Sequence, residues 1–185
     1  MKVKNLSVKF DKEILKDVSF ETEKTGIYCI SAPSGSGKTT LFNAIANEVE
    51  FTGTIDEQGK VAYLFQEDTL LPWLTLRENV ILPLEKEKYD LADLYIKKFG
   101  LFFDKEKRPA ELSGGQKRRA AIARVLAFGG DTFLLDEPFK GLDEENVQIV
   151  FNVLKEISKS ALIIVITHEK SDVEKLDAKI LDIAF

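Results

Sequence analysis

Residues 26–40 read GIYCISAPSGSGKTT: an apolar run, a loop of Ser, Ala, Pro and Gly, and then Lys38, Thr39 and Thr40. The stretch TLFNAIANEV that follows at 40–49 places its apolar residues at helical spacing. A strand, a glycine-rich loop and a helix in that order make an anion cradle, because loop N–H groups and the positive end of the helix dipole converge on one point. The candidate cradle is Ala32, Pro33, Ser34, Gly35, Ser36, Gly37, Lys38, Thr39 and Thr40. Gly35 and Gly37 would offer their N–H groups to phosphate oxygens, Lys38 would reach the β- and γ-phosphates, and Thr39 would place its hydroxyl on Mg2+. Ala32 stands where the strict pattern has glycine. A merely flexible Gly/Ser loop is the competing reading, and the strand–loop–helix context of Lys38 and Thr39 speaks against it.

Other strands carry polar residues at their carboxyl ends, where open α/β sheets bind ligands. TFLLD ends in Asp136, followed by Glu137 and by Pro138, which stops regular pairing. An acidic pair after a strand is by itself an ordinary solvated turn. Beside a phosphate cradle it reads differently: Asp136 would hold Mg2+ and Glu137 would activate the attacking water. ALIIVIT is followed by His168, the chain's single histidine. A lone histidine is commonly structural, but this position suits contact with a γ-phosphate or the attacking water. Gln66, after VAYLF, has the chemistry to coordinate Mg2+ or orient water, yet its residues alone describe a solvated strand end.

Working outward, KVKNLSVKF and ILKDVSFE alternate around a polar turn and predict an antiparallel ribbon. FTGTI and VAYLF, separated by the polar turn DEQGK, predict two more short strands. From about 75 to 128 the pattern is helical. Thr75 with Glu78 makes one capping box, and Leu91, Leu94, Tyr95 and Phe99 define the inner face of a helix stopped by Gly100. A second box, Ser113 with Gln116, opens the next helix, although Gly114 and Gly115 between them each cost on the order of 1 kcal/mol relative to alanine. DEENVQIVFNVLKEI predicts a helix and AKILDIAF a final strand. The alternation specifies an α/β fold with parallel strands.

The 185 residues suit one well-cored domain. With 31 acidic against 26 basic residues and a net charge of −5, there is no electrostatic case for nucleic acid, and none is expected as a partner. Cys29, the only cysteine, excludes an intrachain disulfide and a cysteine-based metal cluster, and reads as a buried inert thiol. MKVKNLSVKF lacks the apolar core of a signal peptide, and ALIIVI is far short of the roughly 18 residues of a membrane span. A cytoplasmic chain that meets a membrane only through a partner is expected.

Taken together, the chain resembles an ABC-type ATPase, the ATP-binding subunit of an ABC transporter, over essentially its whole length. The resemblance rests on the P-loop Ala32 to Thr39, a Q-loop at Gln66, the signature LSGGQ at 112–116, a strand ending in Asp136-Glu137, the D-loop KGLD at 140–143 and the switch histidine His168. It implies a P-loop NTPase core of mixed and parallel sheet, an antiparallel β subdomain and a small helical subdomain at about 67–128, all within one domain spanning 1–185. Catalysis would fall to Glu137, His168, Gln66 and Lys38, with Thr39, Gln66 and Asp136 on the metal, and ATP and Mg2+ would be bound. Phe10 lies where the family carries an aromatic that stacks on adenine, though an aromatic on a strand is also a common core residue.

The resemblance also implies assembly. Two copies, or two paired ABC subunits, would dimerise head to tail, each nucleotide lying between one P-loop and the partner's Ser113, Gly114, Gly115 and Gln116. Transmembrane permease subunits would hold the dimer on the cytoplasmic face. FQEDTLLPWLTLRENV is similar to the importer branch serving nitrate, sulfonate and taurine. Leu70, Leu71 and Trp73 are either a locally packed loop or the seat of the permease's coupling helix. A soluble ABC ATPase and a non-hydrolysing nucleotide-binding module are the rival readings. The latter would be favoured by loss of Glu137 or His168, and both are present. Departures are a shortened segment before Gln66, an end at IAF without the usual final turn and strand, and Lys140-Gly141 in place of the D-loop's frequent Ser-Ala.

Overall fold

The computed structural model describes residues 1–56 and 59–185, with Lys170 described by its backbone alone. Alternation at the N-terminus yields β1 (Lys2–Lys9) and β2 (Glu13–Glu21), paired antiparallel. Val3, Leu6 and Val8 all face inward because the register slips between Val3 and Leu6, where Asn5 adopts a φ of 48°. β3 (Gly26–Ile30) and α1 (Lys38–Ile45) follow on either side of the Gly/Ser loop.

The next two strands part company. β4 (Thr52–Asp56) pairs antiparallel with β1, whereas β5 (Val61–Leu64) pairs parallel with a strand 71 residues downstream of it in the other sheet, Val61 facing Thr132. The expected DEQGK turn includes Glu57 and Gln58, which lie outside the described residues.

β6 (Thr132–Asp136) and β7 (Leu162–Ile166) are buried at every position, as strands covered on both faces must be. β8 (Lys179–Ile180) is only two residues long. The expected eight-residue final strand is cut short: Asp182 breaks the apolar run, and the exposed Lys179 and Ile180 lie on an edge, with Leu181 donating to Cys29 O at 2.9 Å. The sheets run β2-β1-β4 and β5-β6-β7-β3-β8.

Strand alternation divides the interior between the two faces of the parallel sheet. Tyr28, Ile30, Leu134, Ile164 and Ile166 pack with α1 and the antiparallel sheet. Ile27, Cys29, Leu135, Ile163 and Val165 face the helices on the other side. Burial pushes the Cys29 thiol up to about 12, assisted by the Asp172 charge, as expected of an inert core cysteine.

The helical segment contains α2 (Leu76–Ile81), α3 (Tyr89–Lys98) and α4 (Gly114–Phe128). Thr75 and Glu78 close the expected capping box. The inner face of α3 differs from expectation: Ala92, Ile96 and Phe99 are fully buried, while Leu91 and Leu94 are 41% and 45% exposed. The true face is rotated by about a quarter turn from the one that leucine content suggests, given 3.6 residues per turn. α5 (Glu144–Ile157), capped by Asp143, and α6 (Lys170–Leu176) complete the fold. Among the described residues no helix is long and apolar enough to cross a membrane.

Candidate active site

Parallel register brings the key strand ends to one level: Ile30 and Asp136 both sit opposite Ile166. The residues leaving β3, β6 and β7 therefore enter the same space. A cleft of about 260 Å³ opens there, lined by Ser34, Gly35, Gly37, Lys38, Thr39, Thr40, Gln66, Asp136, Glu137 and His168, with Ile14 of β2 at its rim.

The loop before α1 holds its shape with unmet polar capacity. Lys38 Nζ donates to the carbonyls of Ala32 and Pro33 at 2.7 and 2.8 Å. The Ser36 hydroxyl is buried without a hydrogen-bond partner among the described residues. Gly37, the N-cap of α1, has φ 101° and makes no side-chain cap, so the first N–H groups of the helix lack that partner. A Cβ on Gly37 would lie 2.6 Å from Leu15 Cδ2, whereas one on Gly35 would meet nothing within 4 Å. An orphan hydroxyl, uncapped helix N–H groups and open space above Gly35 are what an anion would complete.

At the floor, Thr39 Oγ1 donates to Asp136 Oδ2 at 2.8 Å. Asp136 is 2% exposed. Burial raises its carboxyl above the usual range and the Glu137 charge adds to this, while the Thr39 bond and the charges of Arg118 and Lys38 oppose it. A hard divalent cation suits this oxygen pair and would relieve the burial penalty, so the residues present fit Mg2+.

Glu137 has a φ of 47°, a left-handed conformation rare for a side-chain-bearing residue. Its N–H donates to Ile166 O at 2.9 Å, which helps to hold that turn. The carboxylate lies between two cations or potential cations: Oε1 is 3.3 Å from His168 Nε2, and Oε2 is 3.6 Å from Lys140 Nζ.

One residue central to this geometry escaped the sequence reading. Arg118, 3% exposed on α4, donates through Nη1 to Phe65 O (2.9 Å), Gln66 O (3.3 Å) and Asp68 Oδ1 (3.1 Å). Through Nη2 it donates to Asp136 O and to Glu137 O, the latter at 2.9 Å. Burial lowers its pKa and the Asp68 contact opposes the shift. The available signal was its helical phase, since Arg118 lies one and two turns before Ile122 and Val125, both buried.

The remaining candidates lie elsewhere. Phe10 is 57% exposed on the turn after β1 and does not line the cleft. Ser113 caps α4 in a complete box: Gln116 N donates to Ser113 Oγ at 3.2 Å and Ser113 N to Gln116 Oε1 at 2.8 Å. Gln116 Nε2 also donates to Asp104 Oδ2 at 3.0 Å. Ser113, Gly114, Gly115 and Gln116 are all outside the cleft that holds Lys38.

A family model described as ABC transporter matches residues 15–140. The chain is 35% identical over 199 residues to the lipoprotein-releasing system ATP-binding protein LolD of Francisella tularensis subsp. holarctica, covering 90% of this chain and 86% of LolD. It is 43% identical over 139 residues to the formylaminopyrimidine import ATP-binding protein ThiZ of Halalkalibacterium halodurans, covering 70% of this chain and 56% of ThiZ. Among solved structures, the dimeric bacterial ABC transporter cassette MJ0796 superposes with a TM-score of 0.84 at 28% identity, covering 94% of this chain and 90% of that one. The same cassette has been solved as a dimer in a post-hydrolysis state bound to ADP and Pi, with a TM-score of 0.80.

Proposed function

The chain belongs to the ABC transporter family of ATP-binding proteins and is an ABC ATPase, and from this premise we propose that it is the ATP-hydrolysing subunit of a membrane importer. The carrying observation is the convergence of Lys38, Thr39, Asp136, Glu137 and His168 on one cleft at the carboxyl edge of a parallel sheet. In this reading the N–H groups of residues 34–40 and the Lys38 ammonium hold the β- and γ-phosphates of ATP. Phe10 stacks on the base after the exposed turn that carries it moves inward.

Thr39 and Asp136 would hold Mg2+, joined by Gln66 from the side, and the ion would neutralise charge on the phosphate oxygens. Glu137 accepts the proton of the attacking water as that water's oxygen bonds to the γ-phosphorus and the bond to the ADP oxygen breaks. His168, 3.3 Å from the same carboxylate, orients Glu137 and the water. ATP and water give ADP and phosphate.

The signature residues, of which Ser113 and Gly114 are exposed, are read as the second half of a site completed by another subunit. Ser113 Oγ already accepts from Gln116 N, which leaves its own O–H free to donate to a phosphate across a head-to-tail dimer. Closure on ATP and opening after hydrolysis would then bias a bistable assembly.

Import rather than export rests on the segment 65–80 and on the likeness to ThiZ, and the likeness to LolD is the counterweight. An apolar groove of about 490 Å³, lined by Phe65, Leu71, Leu82, Pro83 and Phe128, is read as the seat of a permease helix on the cytoplasmic face; it takes Leu71 of the three residues expected there, whereas Leu70 packs against the core and neither Leu70 nor Trp73 lines it.

The test is ATP turnover and light scattering on wild type and on Glu137→Gln. Slow turnover with an accumulated ATP-bound dimer supports the reading, and undiminished turnover removes Glu137 as the base. Transport direction is read by reconstituting the chain with a candidate permease in proteoliposomes and following which way solute moves on ATP addition.

A further inference from the structure

The loop that carries His168 is fixed from behind by a buried relay. Glu169 N donates to Thr167 Oγ1 at 3.2 Å, and Thr167 Oγ1 donates to Asp172 Oδ2 at 2.7 Å. Asp172 N in turn donates to Glu169 O at 3.1 Å, closing the turn on itself. Thr167 and Asp172 are 5% and 8% exposed, and His168 between these anchors projects to the side where Glu137 lies.

A buried carboxylate is costly where an apolar residue would pack. Its cost at this point is offset by a constraint that an apolar side chain could not supply: the threonine hydroxyl is oriented, and with it the peptide of residue 168. α6 lacks a side-chain N-cap, so the relay is what ties its first turn to the end of β7.

We propose that Asp172 is a positioning residue for His168, acting through the Thr167 hydroxyl to keep the imidazole against Glu137. The inference rests on the reading of His168 as a group that acts on ATP. Asp172 does not line the cleft that holds Lys38, and in this proposal it acts only by narrowing the positions His168 visits.

The experiment measures kcat, KM for ATP, nucleotide binding and melting temperature for Thr167→Val, Thr167→Ser and Asp172→Leu, each alone and with His168→Ala. Valine preserves shape but removes the hydroxyl, and is expected to lower kcat by about ten- to a hundred-fold, the scale of a 1 Å misplacement, with KM little changed. Serine restores the hydroxyl and should bring kcat back to within about three-fold of wild type. In the His168→Ala background, Thr167→Val should add no further loss, because the group it positions is gone. Asp172→Leu provides the same break should the valine variant not fold.

Equal behaviour of valine and serine variants, or a valine effect that multiplies that of His168→Ala, would overturn the proposal. A fully active His168→Ala protein would overturn the reading of His168 and the proposal with it, and that single variant distinguishes the two failures.

Discussion

Arg118 Nη2 donates to the main-chain oxygen of Glu137 at 2.9 Å, although Arg118 lies only five residues beyond Ser113, the exposed N-cap of α4. The same guanidinium holds Phe65 O and Gln66 O on the neighbouring strand end. One buried side chain thus joins the start of α4 to two walls of the cleft.

Replacing Arg118 tests how much the walls depend on it. Arg118→Met fills similar volume but leaves the carbonyls of residues 65, 66, 136 and 137 and the Asp68 carboxylate without their donor. Unmet buried acceptors cost about 1–3 kcal/mol each before water enters, so a net loss of about 3 kcal/mol is expected in urea unfolding. Arg118→Lys keeps the charge but loses the fork, and should recover less than half of the loss. An unchanged urea midpoint for the methionine variant would show that water replaces the guanidinium freely.

The strand-ending residues of the site could be read in advance because they follow long apolar runs, and because register fixes which strand ends meet. Helical phase turns Arg118 inward but does not say what it holds there, since a charged residue enters an interior only when particular carbonyls await it, and those belong to segments at 65–68 and 136–137. The division of β4 and β5 between two sheets has a similar cause. Local alternation announces a strand, but the choice of partner is a tertiary matter. Leucine content misplaced the face of α3 for the opposite reason: exposed leucines are ordinary, and the small Ala92 is fully buried on the inner face.

Lys140 departs from the small residue frequent at its position, and its Nζ lies 3.6 Å from Glu137 Oε2. Its side chain is 64% exposed, so the ion pair is worth only a few tenths of a kcal/mol after screening. Lys140→Ser is accordingly expected to leave stability within about 0.5 kcal/mol and kcat within about three-fold. A loss above about ten-fold at unchanged melting temperature would place Lys140 in the machinery around Glu137.

The buried Asp172 gives stability a predictable pH dependence. Burial raises its carboxyl above the unfolded value of 3.8, Glu169 adds to the shift, and the Thr167 bond and the Lys175 charge oppose it. A raised folded pKa means that the folded state binds the proton more tightly, so this site favours folding below the unfolded pKa and penalises it once pH exceeds the folded value. Asp172→Asn removes the titration while an amide oxygen can still accept from Thr167. The variant should therefore be more stable than wild type at pH 7, with the difference shrinking as the pH falls toward 4. Urea midpoints of both proteins across that range provide the check, and a difference that grows on acidification would contradict the burial argument.

The glycines at the start of α4 separate a demand from within the chain from a demand outside it. A Cβ on Gly115 would lie 3.3 Å from Gly141 O, a close contact that explains this glycine internally. A Cβ on Gly114 would meet nothing within 4 Å, and Ser113 and Gln116 close their capping box regardless. Nothing inside the subunit requires glycine at 114, and alanine should stabilise the isolated chain by up to about 1 kcal/mol through helix propensity. If a nucleotide on another subunit approaches this helix end, the added methyl must stand in its way. Gly114→Ala should then raise the melting temperature of the nucleotide-free chain while weakening ATP-driven dimerisation of the Glu137→Gln background by about ten-fold or more, read by sedimentation. A stabilised variant that dimerises as readily as its parent would leave Gly114 without a ligand-facing role.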